Sequence, residues 1–147
     1  MSPWNCLIGK KIERKVPFLI DTNIAIHARD GFDLVLDKFV QYPDAISMSA
    51  LSLAELQRGI RKPSPYSVLR RERLHELLLG VTILPFDEAA AEAYGEIIAV
   101  IGWSRGKEMD RLIAAHALAT NSVLVTANTS DFAPVPGLKI VDWTLAV

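Results

Sequence analysis

Four acids stand out by position: Asp21, Glu55, Asp110 and Asp131. Asp21 directly follows a short apolar run, and Glu55 lies early in a helix-like segment after a second one. Asp110 opens a helix-like segment leading into the run at 122–126, and Asp131 follows the end of that run. Carboxylates crowded on one rim repel each other and hold their protons more tightly unless a cation neutralises them. Hard oxygen ligands in that number select Mg2+ or Mn2+, not zinc. Such an ion, keeping several waters, can activate a water and stabilise the charge of a phosphodiester transition state.

Each acid also has a local structural explanation. Asp21 before Thr22 and Asn23 suits a helix N-cap. Ser52-Leu53-Ala54-Glu55 has the pattern of a capping box, in which Glu55 reaches back to the backbone of Ser52. Helical phase sets Glu55 opposite Leu53 and Ile60, which predicts exposure. Asp110 in a first turn gains from the helix dipole, and Asp131 suits a loop or a short turn at Phe132. Any one of the four is explained locally, and it is their convergence that points to chemistry.

The elements that position them are legible as alternating patterns. Apolar runs at 17–20, 45–48, 81–84, 122–126 and 139–141 predict strands. Helical spacing appears in Phe32, Val35, Leu36, Phe39 and Val40, in Leu53, Leu56 and Ile60, and in Leu69, Leu74, Leu77 and Leu78. It recurs in Tyr94, Ile97, Ile98 and Ile101 after the N-cap candidate Asp87, and in Met109, Leu112, Ile113 and His116, a helix ending near Asn121. Strands alternating with helices imply right-handed crossovers and a three-layer α/β/α sandwich around a mostly parallel central sheet. In such a sheet the ligand site lies outside the carboxyl ends of the strands, which is where the four acids fall.

The 147 residues make one domain, half hydrophobic, with 16 basic against 17 acidic side chains and a formal net charge of -1. Near-neutrality argues against holding nucleic acid by bulk charge. Locally, however, Arg58, Arg61, Lys62, Arg70, Arg71 and Arg73 face only Glu72 within sixteen residues. That segment is either a site for an anionic partner or a solvated helix face. The single cysteine, Cys6, forms no internal disulfide and suggests a cytoplasmic protein. No apolar stretch is long enough to span a bilayer. Residues 1–16 hold four basic residues against one acid and no secretion signal, and read as a basic extension, either an arm or a leader from a misassigned start. Residues 17–147 form the folded domain.

Phe18-Leu19-Ile20-Asp21-Thr22-Asn23, Ser49-Ala50-Leu51-Ser52-Leu53-Ala54-Glu55-Leu56, Asp110-Arg111-Leu112-Ile113-Ala114-Ala115-His116-Ala117 and Val125-Thr126-Ala127-Asn128-Thr129-Ser130-Asp131-Phe132 resemble, in order and spacing, the four acidic motifs of PIN-domain nucleases. The closer likeness is to the VapC-type toxins of prokaryotic toxin–antitoxin modules. It runs from about Pro17 to Trp143 and includes Val135-Pro136-Gly137-Leu138. The resemblance implies a metal-dependent endoribonuclease with Asp21, Glu55, Asp110 and Asp131 as its acids. Asp21, Asp110 and Asp131 would hold Mg2+ or Mn2+, with Glu55 as a further ligand or as the base orienting water. Asn23, Thr126 and Asn128 look like the family's polar neighbours that hold the carboxylates in orientation. Attack by water implies products with a 5′-phosphate and a 3′-hydroxyl. Arg105 and Lys107, close to Asp110 in sequence, are candidates for phosphate contact, with surface solvation as the alternative. The partners implied are an RNA substrate, a VapB-type antitoxin and a second copy in a homodimer.

Other chemistries fit less well. A phosphoacceptor domain needs a lysine after a late strand, and the stretch 123–132 has none. A dinucleotide fold needs a glycine-rich turn where Asp21-Thr22-Asn23 stands, and no P-loop is present. His27, His75 and His116 lack metal-ligand spacing, and His116 reads as packed or hydrogen bonded. Two alternatives keep the fold: a catalytically silent binding module, and a nuclease acting on structured DNA.

Overall fold

The computed structural model describes residues 17–146, so the basic extension and Cys6 lie outside the described residues. The apolar runs form β1 (Phe18–Ile20), β2 (Ile46–Ser49), β3 (Thr82–Leu84), β4 (Val123–Val125) and β5 (Ile140–Val141). Every pairing is parallel, in the order β3-β2-β1-β4-β5. Helices make each crossover, with α1 (Thr22–Arg29) and α2 (Asp33–Gln41) between β1 and β2, and α3 (Ala50–Ile60) and α4 (Ser67–Leu79) between β2 and β3. Next come α5 (Glu88–Ile101) and α6 (Glu108–Ala119) before β4, then the short α7 (Thr129–Phe132) before β5.

Strand side chains alternate between two faces, so the sheet has two apolar cores. Phe18, Ile20, Met48 and Val125 pack with Ile24, Val35, Leu56 and Leu74 of α1 to α4. Leu19 and Leu124 pack on the other side with Ile97 of α5 and with Ile113, Ala114 and Ala117 of α6. Ala114 and Ala117, both fully buried, let α6 sit close to the sheet, which fixes where its first turn ends up. The architecture is the expected three-layer α/β/α sandwich, with a sheet that is wholly parallel among the described strands.

The strand order puts the site where it is. From β1 the chain builds outward through β2 and β3, then returns to place β4 on the opposite side of β1. The connections leaving β1 and β4 therefore diverge and open a crevice at their carboxyl ends. Asp21 follows β1 and Thr126 follows β4, and the amide of Asp21 donates to the carbonyl of Val125 at 3.0 Å.

Helix starts are set by side-chain caps. Asp87 accepts from the amide of Ala90 at 3.0 Å, as the sequence predicts. The capping box at Ser52 does not form. Ser49 is the N-cap of α3, accepting from the amide of Leu51 at 3.1 Å, which moves Ser52 inside the helix and buries it. Glu55 is then too far along the helix to reach the cap.

His116 is packed, as expected, edge-on against Phe86 with ring centres 5.4 Å apart. Burial lowers its pKa below the ordinary 6.5, outweighing the nearby Asp87 charge and the carbonyl of Pro85, which raise it. A histidine held neutral by the fold contributes stability that is full above the unfolded pKa and is lost as pH falls below it. Denaturant unfolding between pH 7.5 and 5 is expected to show stability declining below about pH 6.5. Replacing His116 by leucine should flatten that decline.

Candidate active site

Asp21 is held in orientation before any ligand arrives. It is buried, and its Oδ1 accepts from the amide of Ile24 at 2.9 Å as the N-cap of α1, so the local reading of this acid is correct as far as it goes. The hydroxyl of Thr126 is a second partner. Burial raises the pKa of Asp21. The bonds from Thr126 and Ile24 and the charge of His27 pull it down, but with the charge of Asp110 added the balance stays above the usual carboxylate value.

Glu55 is half-buried, not exposed as helical phase alone suggests. Its Oε1 accepts a 2.6 Å hydrogen bond from the Thr22 hydroxyl at the start of α1. That bond ties the second acidic segment to the first across 33 positions of sequence. Thr22 was not among the site residues predicted, because nothing local to it marks a long-range partner.

Asp110, in the first turn of α6, is where the charges meet. Partial burial raises its pKa first, the charge of Asp131 next, and Glu55 adds to both, while Lys107 and Arg111 act in the opposite direction. The net shift is upward. Asp131 stands near enough to be felt but is turned to a cation, since its Oδ1 accepts from Lys107 Nζ at 2.8 Å. Its backbone oxygen accepts from the buried guanidinium of Arg111 at 3.0 Å. Lys107, a candidate for phosphate contact, is thus held beside the acids, whereas Arg105 is exposed on the loop before it.

Asp21, Glu55 and Asp110 line one cavity of about 320 Å³ at the crevice, together with Asn23 and Asn128. Thr126 is buried beside it, its Oγ1 accepting from the amide of Asn128 at 3.0 Å. Asp131 is not part of the lining. Ile26, Met109 and Ile113 supply the apolar part of the wall. Arg58, Gly59 and Lys62 complete it, and these belong to the basic segment noted in the sequence without any link to the acids. The spacing of Arg58 and Gly59 from Glu55 was the available signal, since positions i, i+3 and i+4 share a helix face, while Lys62 follows the helix end.

The donor set fits a hard divalent cation. Among the described residues no three Asp, Glu, His or Cys side chains stand close enough together to enclose an ion. Mg2+ does not require that, because it is commonly held by one or two carboxylates and retains waters. Two carboxylates raised by burial and by neighbouring acids, Asp21 by Asp110 and Asp110 by Asp131 and Glu55, form a site whose repulsion such a cation removes.

Fold and site together define a class: parallel α/β/α sandwiches with acids from separate elements gathered at the switch-point crevice. Residues 18–138 match the PIN domain model, and the chain belongs to the PIN-domain family. It is 32% identical over 133 residues to the Ribonuclease VapC2 of Rickettsia felis, covering 86% of this chain and 97% of that one. It is 30% identical to the tRNA(fMet)-specific endonuclease VapC of Shigella flexneri, covering 86% and 98%. Among solved structures it is similar to the VapBC2 complex of Rickettsia felis bound to a DNA fragment from its promoter, with TM-score 0.76, 30% identity and coverage of 86% and 98%. The DNA-bound VapBC of Salmonella typhimurium gives TM-score 0.77, 27% identity and coverage of 88% and 99%.

The crowding has a measurable cost. With divalent cations chelated, Asp110→Asn is expected to melt a few degrees above the wild type at pH 7, because it removes a repelled charge and keeps the shape. A raised folded-state pKa means this destabilisation is complete above that pKa and is relieved as the wild type takes up its proton on the way down to 3.8. The difference in melting temperature should therefore narrow as pH falls through that window, which calorimetry at a series of pH values reads directly.

Proposed function

We propose that this protein is a divalent-metal-dependent endoribonuclease, the toxin of a VapBC-type toxin–antitoxin module, acting in the cytoplasm. The observation that carries the reading is the meeting of Asp21, Glu55 and Asp110 from three separate elements on one cavity at the switch point of the sheet. The names of its relatives support it, since they are ribonucleases and a tRNA(fMet)-specific endonuclease. Among the described residues no helix is long and apolar enough to cross a membrane.

Asp21 and Asp110 would hold the ion, with Asp131 contributing from beside Asp110. Bound there, Mg2+ or Mn2+ supplies acidity for the attacking water and positive charge for the phosphoryl oxygens. The chain's own residues do the positioning. Thr126 and the amide of Ile24 fix the orientation of Asp21. Thr22 holds Glu55 with one oxygen engaged, leaving the other to orient a water or accept its proton. Asn23 and Asn128 line the cavity as hydrogen-bonding groups for substrate or water. Lys107, paired with Asp131, places a positive charge at the edge where a phosphate would arrive.

A partner follows from the same chemistry. Solved structures similar to this chain include VapBC complexes, and a carboxylate-lined cavity is a natural receptor for an inserted arginine. In this reading a VapB-type antitoxin silences the protein by placing a basic side chain among the acids, and the toxin pairs as a homodimer.

Antitoxin-free protein incubated with cellular RNA and Mg2+ is expected to release fragments with 5′-phosphate and 3′-hydroxyl ends. Fragments ending in 2′,3′-cyclic phosphate would contradict attack by water. Asp21→Asn and Glu55→Gln should each lower the cleavage rate by more than about 100-fold, the scale on which losing one electrostatic contact to a transition state acts. Neutralising the basic residues of the antitoxin's C-terminal tail should release inhibition, and an unchanged inhibitory potency would contradict the inserted-arginine account.

A further inference from the structure

One wall of the acid cavity has the opposite charge. Arg58, on the face of α3 that carries Glu55, and Lys62, just past the helix end at Ile60, line it together with Gly59. Both cations are exposed, and among the described residues neither pairs with an acid, the two ion pairs there being Arg29 with Asp30 and Lys107 with Asp131. Glu55 is close enough in sequence to pair with Arg58, yet no such ion pair forms and its Oε1 accepts from Thr22 instead. The helix dipole favours a cation in the last turn, which accounts for one charge there and not for two aimed at a shared cavity.

Gly59 sharpens the point. Its backbone has no positive φ, and a Cβ placed on it would meet nothing within 4 Å. The fold therefore has no local need for glycine at this position, where alanine would make the better helix former. What its missing side chain provides is an open strip along the helix, flanked by the two cations and leading to the acids. Arg58 in the last turn of α3 and Lys62 beyond its end border the same cavity from separate positions, so each can meet a different phosphate of one extended strand.

Building on the endoribonuclease reading, we infer that the C-terminal end of α3, from Arg58 and Gly59 to Lys62 just beyond it, is a track for the single-stranded RNA backbone, with Arg58 and Lys62 gripping phosphates beside the scissile one and Gly59 letting the strand lie against the helix. These are positioning residues. They fix the substrate and take no part in the chemical step.

The test uses the Asp21→Asn protein, expected to hold RNA without cutting it, and a fluorescein-labelled single-stranded RNA whose anisotropy is followed over a series of KCl concentrations. Adding Arg58→Gln with Lys62→Gln should weaken binding at least about tenfold and make the slope of log K against log salt shallower by about 1.4, two phosphate contacts' worth. Adding Gly59→Leu should weaken binding comparably while the melting temperature stays level or rises. In the otherwise wild-type enzyme the charge variant should raise KM and leave kcat nearly unchanged.

Unchanged affinity and slope in these variants, with the wild type still cutting RNA, would overturn the track and leave the nuclease reading standing. Binding losses that merely follow falling melting temperatures would also overturn it, as would intact RNA binding accompanied by lost antitoxin affinity, which would assign the face to a protein partner. If the Asp21→Asn protein binds no RNA and the wild type cuts none, the endoribonuclease reading itself fails.

Discussion

Like charges held at close quarters organise this molecule. Asp21 and Asp110 each have their pKa raised first by burial, Asp21 then by the charge of Asp110 and Asp110 by the charges of Asp131 and Glu55. A fold does not keep such groups together by any attraction between them. They are kept together by two apolar cores, one on each face of the sheet, that lock β1, α3 and α6 in place whatever their acids prefer. The repulsion stored in this way is what makes the crevice receptive to a cation. Lys107 already shows the response, having been drawn to Asp131 at 2.8 Å.

The parallel order β3-β2-β1-β4-β5 turns that constraint into a site. Because the chain reverses its direction of travel across the sheet after β3, the ends of β1 and β4 are adjacent while the segments that follow them diverge. Asp21 and Thr126 are thereby neighbours despite a separation of more than a hundred residues. The small side chains of α6, Ala114 and Ala117, let that helix sit close to the sheet and bring Asp110 to the same crevice. Backbone amides and hydroxyls then fix the carboxylates one at a time. Ile24 and Thr126 act on Asp21, and Thr22 acts on Glu55. A change to any of the three helices would be felt at the acids through these bonds.

The legible parts of the sequence were those with local, periodic causes. Five strands and the cap at Asp87 follow from apolar runs and a single side-chain bond, and the crevice follows from the rule that parallel sheets bind ligands at their carboxyl ends. The helix α1 gave no comparable signal, because only Ile24, Ala25, Ala28 and Arg29 of its eight residues are buried. Two serines three residues apart, Ser49 and Ser52, offer competing starts for α3, and burial of Ser52 decides between them. Glu55 was misplaced for the same reason that Thr22 was missed, since their bond joins residues distant in sequence. The pairing of Lys107 with Asp131 is of that kind too. The link between the basic segment and the acids could have been read, because Glu55, Arg58 and Gly59 share a helix face, but only once Glu55 was known to face inward.

The account rests on a carboxylate pair that the fold holds ready for a divalent cation, and calorimetric titration of Mn2+ into antitoxin-free protein tests it most directly. It predicts saturable, stoichiometric binding by the wild type that is lost or greatly weakened when Asp21 and Asp110 are both replaced by asparagine. Absence of saturable binding by the folded wild type, or binding that survives in the double variant, would contradict it.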